Sequence, residues 1–283
     1  MKKDVLIVSR AERFSPNAEQ RDALFVERLT ARLHKEGCRV LRIEEDLLSS
    51  SLLKDIGDVE CVVNMVRSHQ ALSFLKLMEA SHVRVCNAPS ALLAYPTRVS
   101  RLQALARCQV PTPSFMLYED DEPLSDINIS FPLWVKANRL DTPGRHVARV
   151  EHATQLADYI SKQRESGITS FSLEQHIAGQ QLKFYAISSA AFFVCYEAVQ
   201  TSDCGLRVEN VSTNYIPAPT VITNQLAVYA KLIGEHMGLQ IFGGDAAIGA
   251  DGVPYLFDLN DFPSFAPCRE EAVEACVQYL LQS

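Results

Sequence analysis

Two aspartates and an asparagine, Asp245, Asp258 and Asn260, lie inside the apolar stretch IFGGDAAIGADGVPYLFDLNDFPSF at 241–265. Asp251-Gly252 between apolar strands predicts a two-residue type I′ hairpin, because that turn needs positive φ at both centres. Such a turn sets Ala250 opposite Val253 and Gly249 opposite Pro254, and the same count carries Asp245 opposite Asp258. The 249:254 pair is then non-hydrogen-bonded, so the proline removes no ladder bond; 245:258 is of the same closer kind, with Cα atoms about 4.5 Å apart. Asn260 shares the face of Asp258. Like charges directly opposite on a sheet are destabilising, so this pair requires a cation. Two carboxylates and an amide oxygen form a hard, oxygen-only set that suits Mg²⁺ carrying substrate phosphates.

The matching cations are found in apolar strands. Lys136 lies in FPLWVKAN, and a lysine there must reach an anion in a cleft, since lysine is rarely buried without a partner. Lys183 lies in LKFYAIS. The loop 139–146 offers the Gly144 backbone N–H and the Arg145 and His146 side chains to phosphate. Arg98 precedes an amphipathic helix, where an arginine is by itself a surface residue. Trp134, the only tryptophan, alternates with Lys136 and reads as core; Phe184 and Tyr185 read as sheet packing. There is no G-x-x-x-x-G-K-[ST], no G-x-S-x-G and no H-E-x-x-H, which excludes a P-loop, a nucleophile elbow and a zincin helix.

These residues need elements to hold them. Strand patterns at 4–10, 38–44, 59–66 and 83–87 alternate with helical patterns at 18–35 and 70–81, predicting a small doubly wound α/β unit over 1–88. Its first strand is not followed by G-x-G-x-x-G. Prolines 89, 96, 111 and 113 punctuate the next stretch, and the helix at 98–109 ends at QVPTP. A polar loop covers 119–130. Strands at 131–138, 146–150, 171–177, 183–189 and 190–199, with helices at 153–164, 223–237 and 268–281, read as α+β.

With 283 residues, 47% apolar and 22% charged, the chain is long enough for two or three compact units. A net charge of −7 makes nucleic acid an unlikely partner, because the overall field repels polyanions. The absence of a long apolar run or signal-peptide pattern predicts a cytoplasmic protein with no membrane span. Eight scattered cysteines without C-x-x-C read as reduced structural thiols rather than disulfides or zinc ligands.

In order from about residue 86 to 268, these segments resemble the ATP-grasp superfamily. RVSRLQALARCQVPTP resembles its first landmark, which puts Arg98 on the basic position. FPLWVKAN is similar to its Pro-x-x-x-Lys strand, which makes Lys136 the nucleotide-phosphate lysine. LEQHI resembles the hinge strand, implying Glu174, Gln175 and Ile177 as adenine contacts, mostly through backbone. QQLKFYAIS is similar to the following strand, with Lys183 on its phosphate-side basic position. The terminal segment resembles the family's metal hairpin, with Asp245, Asp258 and Asn260 as magnesium ligands.

The resemblance implies an ATP-grasp fold over 89–283, with a nucleotide-lid subdomain at 111–175 and a metal-binding subdomain at 176–283 clasping ATP and two Mg²⁺. It implies a RimK-like carboxylate–amine ligase working through an acylphosphate on small-molecule or peptide substrates. Lys183 would act at the phosphate, and Arg269 and Arg207 would face a substrate carboxylate. A homodimer is compatible with this reading. The chain departs from the family in a loop carrying only Gly144 and in Pro263-Ser264 where Pro-Gly is usual. Asp258 in place of Glu, Asn-x-Phe-Pro and LKFY are similar to inositol polyphosphate kinases of the superfamily. A small-molecule kinase is therefore the alternative reading, and a non-catalytic nucleotide-binding module the second. A polyphosphate kinase needs a dense basic pocket, and the N-terminal sequence shows only scattered Lys and Arg, which favours the ligase.

Overall fold

The structure is a computed structural model describing residues 4–14, 19–49, 59–119, 123–142, 146–187, 192–200, 206–208, 210–211 and 214–282, with backbone alone at 19, 200, 206–208, 210–211 and 214. Strand β1 (Asp4–Ser9) is buried at its four central positions, the pattern of a strand covered on both faces. Helix α1 (Glu19–Lys35) buries Phe25, Leu29 and Leu33 along one stripe, and Gly37 follows it at φ +83°. With β2 (Arg39–Glu44), β3 (Cys61–Asn64), α2 (His69–Ala80) and β4 (Arg84–Cys86), they build a parallel sheet of order β2-β1-β3-β4. The expected α/β pattern is therefore present.

Helix α3 (Pro89–Ala94) starts on its proline, and α4 (Arg98–Arg107) starts on a reciprocal Thr97–Ser100 capping box. A second, antiparallel sheet of order β5-β8-β6-β7 joins β5 (Phe115–Glu119), β6 (Leu133–Ala137), β7 (Val147–Val150) and β8 (Ser170–Gln175), with α5 (Ala153–Glu165) across it. Leu133, Val135, Phe171 and Leu173 turn to Leu156 and Ile160 of α5. Alternation therefore puts Trp134, Lys136, Ser172 and Glu174 on the other face.

The third sheet, of order β11-β10-β9-β14-β15, contains β9 (Gln181–Ile187), β10 (Phe192–Gln200) and β11 (Leu206–Val208). The small pair β12 (Asn210–Val211) and β13 (Asn214–Tyr215) and helix α6 (Thr220–Met237) lead to its last two strands, β14 (Ile241–Ile248) and β15 (Pro254–Asp261). Helix α7 (Arg269–Leu281) closes the chain. Leu182, Phe184 and Ala186 of β9 pack with Leu226, Ala230 and Ile233 of α6, while Tyr185 and Ile187 pack with Ala272, Val273 and Cys276 of α7.

Val5, Ile7 and Phe25 belong to the same core as α7, so the N-terminal sheet is seated on the third sheet. Asn87 fastens the two together: its Oδ1 accepts the Gln240 and Ile241 amides at 2.8 and 2.7 Å, and its Nδ2 donates to the Ile241 carbonyl at 2.7 Å. The strand at 115–119 and the helix at 89–94 are additions to the sequence reading, which took the proline-rich stretch as punctuation and the residues before Glu119 as unassigned. Trp134 is a correction. It is half-buried outside the core, and its Nε1 donates to His176 Nδ1 at 3.1 Å.

Candidate active site

The hairpin reaches the expected pairing by an unexpected route. Gly249 N–H donates to the Val253 carbonyl at 2.8 Å, Gly252 N–H to the Gly249 carbonyl at 2.9 Å, and Gly252 has φ +79°. The loop is thus three residues long, 250–252, and not the predicted two-residue turn. Ile248 faces Pro254, Ala247 faces Tyr255 and Ala246 faces Leu256, one step off the predicted 249:254 and 250:253 pairs. A bulge at Phe257 then restores the count, so Asp245 stands opposite Asp258 and Gly243 opposite Asn260.

On its other side β14 pairs with β9, which puts Asp245 opposite Lys183. Lys183 Nζ donates to Asp245 Oδ1 at 2.5 Å, and Arg98 Nη1 to Asp258 Oδ1 at 2.9 Å. The facing carboxylates therefore have two side-chain cations within reach. Arg98 is held there by the start of α4: its amide donates to the Asn138 carbonyl at 2.8 Å and the Val99 amide to Asn138 Oδ1 at 3.1 Å. It is a half-buried site residue rather than a free surface arginine.

Lys136, 5% exposed, reaches across from the second sheet. Its Nζ donates to Glu174 Oε2 at 2.5 Å and to the carbonyl of the bulged Phe257 at 3.0 Å. A bulge frees a residue from the ladder, and here the freed carbonyl receives the lysine. Glu174, 1% exposed, also accepts from Ser172 Oγ at 2.9 Å. A small pocket between the sheets is lined by Arg98, Leu140, Glu174, Phe257 and Asp258. Of the hinge amides, Gln175 N–H donates to Ser114 and His176 N–H to Pro132, and Ile177 next to them is half-buried.

The two facing acids are driven apart in acidity. Burial raises Asp258, but Arg98, Lys136 and Lys183 outweigh it and bring its pKa down to about 2. Asp245 moves up, chiefly by burial with Asp258 adding to it, against Lys183. A close carboxylate pair behaves in this way. Among the described residues no group of three or more His, Cys, Asp and Glu is placed to hold a metal ion, so a cation here would rest on two carboxylates and an amide. Asn260, whose Nδ2 donates to Asp258 Oδ2 at 3.3 Å, is the third polar group on this face. Two carboxylates and an amide make an oxygen set that fits a hard cation such as Mg²⁺.

Close packing fixes this geometry. A Cβ on Gly244 would lie 2.5 Å from the Phe184 ring and 2.7 Å from the Asp258 carbonyl oxygen. Gly244→Ala is accordingly expected to destabilise the chain by about 1–3 kcal/mol, as overpacking does, seen as a lowered melting temperature.

Other sequence candidates lie elsewhere. His146 Nδ1 pairs with Gln163 Oε1 at 2.7 Å. Arg269 starts α7 with its Nε buried and without a hydrogen-bond partner, and has no ion pair to the cluster. Gly144 and Arg145, and the side chain of Arg207, lie outside the described residues.

A second charged cluster escaped the sequence reading. Asp261, 3% exposed, meets Arg67 Nη1 at 2.7 Å and Arg101 Nη1 at 2.6 Å. Arg10 lies beside them, its guanidinium donating to the Phe262 carbonyl and its Nε 3.4 Å from Asp22. Glu45 accepts the amides of Ala11 at 2.8 Å, Arg67 at 3.2 Å and Ser68 at 2.8 Å. Arg10, Glu45 and Arg67 follow β1, β2 and β3, so the cluster sits at the carboxyl ends of the parallel strands. The N-terminal arginines are thus gathered by folding and stand among the carboxylates of Asp22, Glu45 and Asp261. Beyond Asp261, Phe262 and Phe265 take left-handed backbone at φ +54° and +49°, fully buried around Phe25. The turn at Pro263-Ser264 is built on these aromatics.

No family model matches the sequence, and no curated protein matches it. Solved structures do. D-alanine–D-alanine ligase from Bacillus anthracis complexed with ATP superposes with a TM-score of 0.73 at 12% identity, over 99% of this chain and 96% of that one. A RimK domain ATP-grasp protein from Sphaerobacter thermophilus gives 0.71 at 17% identity, over 99% and 100%. The ADP complex of PurK, N5-carboxyaminoimidazole ribonucleotide synthetase, gives 0.69 at 13% identity, over 93% and 70%. The agreement spans nearly the whole chain, and with it the order of sheets that brings Arg98, Lys136 and Lys183 to the Asp245–Asp258 hairpin: the chain has the ATP-grasp fold.

Proposed function

We propose that this protein is an ATP- and Mg²⁺-dependent ligase that joins a carboxylate to an amine. The observation carrying this reading is that three elements bring a cation to one site: Arg98 and Lys183 each bond one of two facing carboxylates, and Lys136 reaches the same hairpin at the Phe257 carbonyl. Phosphoryl transfer needs that arrangement more than it needs a protein nucleophile, because it relies on positioning and charge neutralisation. ATP lies between the subdomains 111–175 and 176–283, with its base at Glu174, Gln175 and Ile177. To the phosphates we assign Gly144, Arg145 and His146 of the loop.

Asp245, Asp258 and Asn260 would hold Mg²⁺, which when bound would neutralise charge on the phosphates. Lys136 and Lys183 orient the γ-phosphate for attack by a substrate carboxylate oxygen. The bond to ADP breaks as the acyl–phosphate bond forms. An amine then attacks the acyl carbon, phosphate leaves with the electron pair of its bond, and the nitrogen gives up a proton to water. To a substrate carboxylate we assign Arg269, at the start of α7.

The test is the fate of phosphate in mixed substrate pools. Free phosphate is expected only when a carboxylate and an amine are both present. Phosphate retained on an alcohol would replace this reading with a kinase, and no ATP consumption in any pool would replace it with a nucleotide-binding module.

A further inference from the structure

The three cations of the site each sit on one of its carboxylates. Lys183 is on Asp245, Arg98 on Asp258 and Lys136 on Glu174. The three cations and three carboxylates sum to no net charge, so a bare triphosphate meets no free positive group in this cluster. The three pairs are not equivalent. Glu174 stands on β8 behind Lys136, bonded to Ser172, and belongs to no facing pair. Asp245 and Asp258 face each other, and each needs a cation whichever one is supplied.

We infer that Lys183 and Arg98 are held in reserve as counter-ions of the metal-site carboxylates and turn to the nucleotide phosphates when a divalent cation replaces them, so that metal and nucleotide bind with positive coupling. The inference rests on the nucleotide reading proposed above. Lys136 does not take part in the exchange, because its carboxylate partner lies outside the hairpin pair. The device requires no motion larger than a side-chain swing. Lys183 and Asp245 are opposite residues of neighbouring strands; Arg98 is fixed at its backbone by Asn138 and at its Nε by the Ala137 carbonyl at 3.2 Å, so only the Nη end that bonds Asp258 has to re-aim. By linkage the coupling is reciprocal.

Calorimetric titration of the full chain with ATP in excess EDTA tests it. Asp245→Asn removes the carboxylate that occupies Lys183, and is expected to tighten metal-free ATP binding by on the order of tenfold, within the usual range of site coupling. The same substitution made in a Lys183→Met background is expected to give no gain. A gain that persists in that background would be a general field effect and would overturn the inference. So would no gain from Asp245→Asn in a chain that binds ATP when Mg²⁺ is present, and that result would leave the nucleotide reading standing. Failure of the unaltered chain to bind ATP with Mg²⁺ would overturn both. If Asp245→Asn does not fold, Asp258→Asn with and without Arg98→Met puts the same question to the second pair.

Discussion

Asp258→Asn is expected to lower magnesium-dependent ATP turnover by at least about a hundredfold, the usual loss on removing one electrostatic group from a transition state, in a chain that still folds. The side chain keeps its shape and loses only its charge. That charge is present at every working pH, because Arg98, Lys136 and Lys183 override burial and hold the carboxyl at a pKa of about 2. A folded pKa below the unfolded one contributes stability above the ordinary carboxylate range, and that contribution is lost as pH falls toward 2. Asp258→Asn forfeits roughly 2 kcal/mol of it at neutral pH. The side chain is 26% exposed, so solvent screening makes the true loss smaller. Melting should therefore drop by a few degrees while phosphate release collapses. Turnover within a few-fold of the unaltered chain would remove Asp258 from the site. A lost fold would show instead as a change in far-ultraviolet circular dichroism.

The route to that residue shows what a sequence can disclose. Asp245 and Asp258 were legible as a facing pair because two acids in otherwise apolar strands, joined by a short turn, have few registers available. The turn itself was misread. Asp-Gly favours a two-residue loop, but only Gly252 takes positive φ in the cluster 249–253, and the loop closes on Gly249 and Val253. That shift alone would have turned Asp245 away from Asp258. Phe257 restores the register as a bulge, and no residue type announces a bulge there, since its freed carbonyl is bonded to a lysine 121 positions away.

Lys136 could be recognised as a buried cation from its apolar strand, but its partner Glu174 could not, because that pairing depends on how β6 and β8 align across a loop and a helix. The parallel N-terminal sheet was legible from alternating runs. Strand β5 was not, as FMLYE lies between prolines and an acidic loop and is fixed by pairing with β8 and by burial of Tyr118.

Asp261 is the residue for which sequence gave least and structure gives most. It follows Asn260, so the pleat turns it to the opposite face from the site. There it is buried, with Arg67 from the end of β3, Arg101 from α4 and Arg10 from the end of β1 around it. Arg101 also donates to the Leu259 carbonyl at 2.8 Å and the Tyr95 carbonyl at 3.3 Å, so it cannot leave for water when its carboxylate is lost. Asp261→Asn strands these guanidinium groups in the interior. Breaking a buried ion pair from one side costs about 3–5 kcal/mol, which for a chain of this size is a fall in melting temperature of roughly 10 °C.

The pH dependence separates this charge effect from a packing effect. Burial raises the Asp261 carboxyl, but the three arginines hold it far below the ordinary range. Its contribution is complete above the ordinary carboxylate pKa and drains away as pH falls below it. The melting curves of the two chains should thus lie well apart at pH 7 and converge on acidification. A difference that stays constant with pH, or one under about 2 °C at pH 7, would show that Asp261 fills space and anchors nothing. Convergence would mean that the face of β15 bearing Asp258 and Asn260 is aimed from behind, by arginines that the N-terminal sheet and α4 bring to its other face.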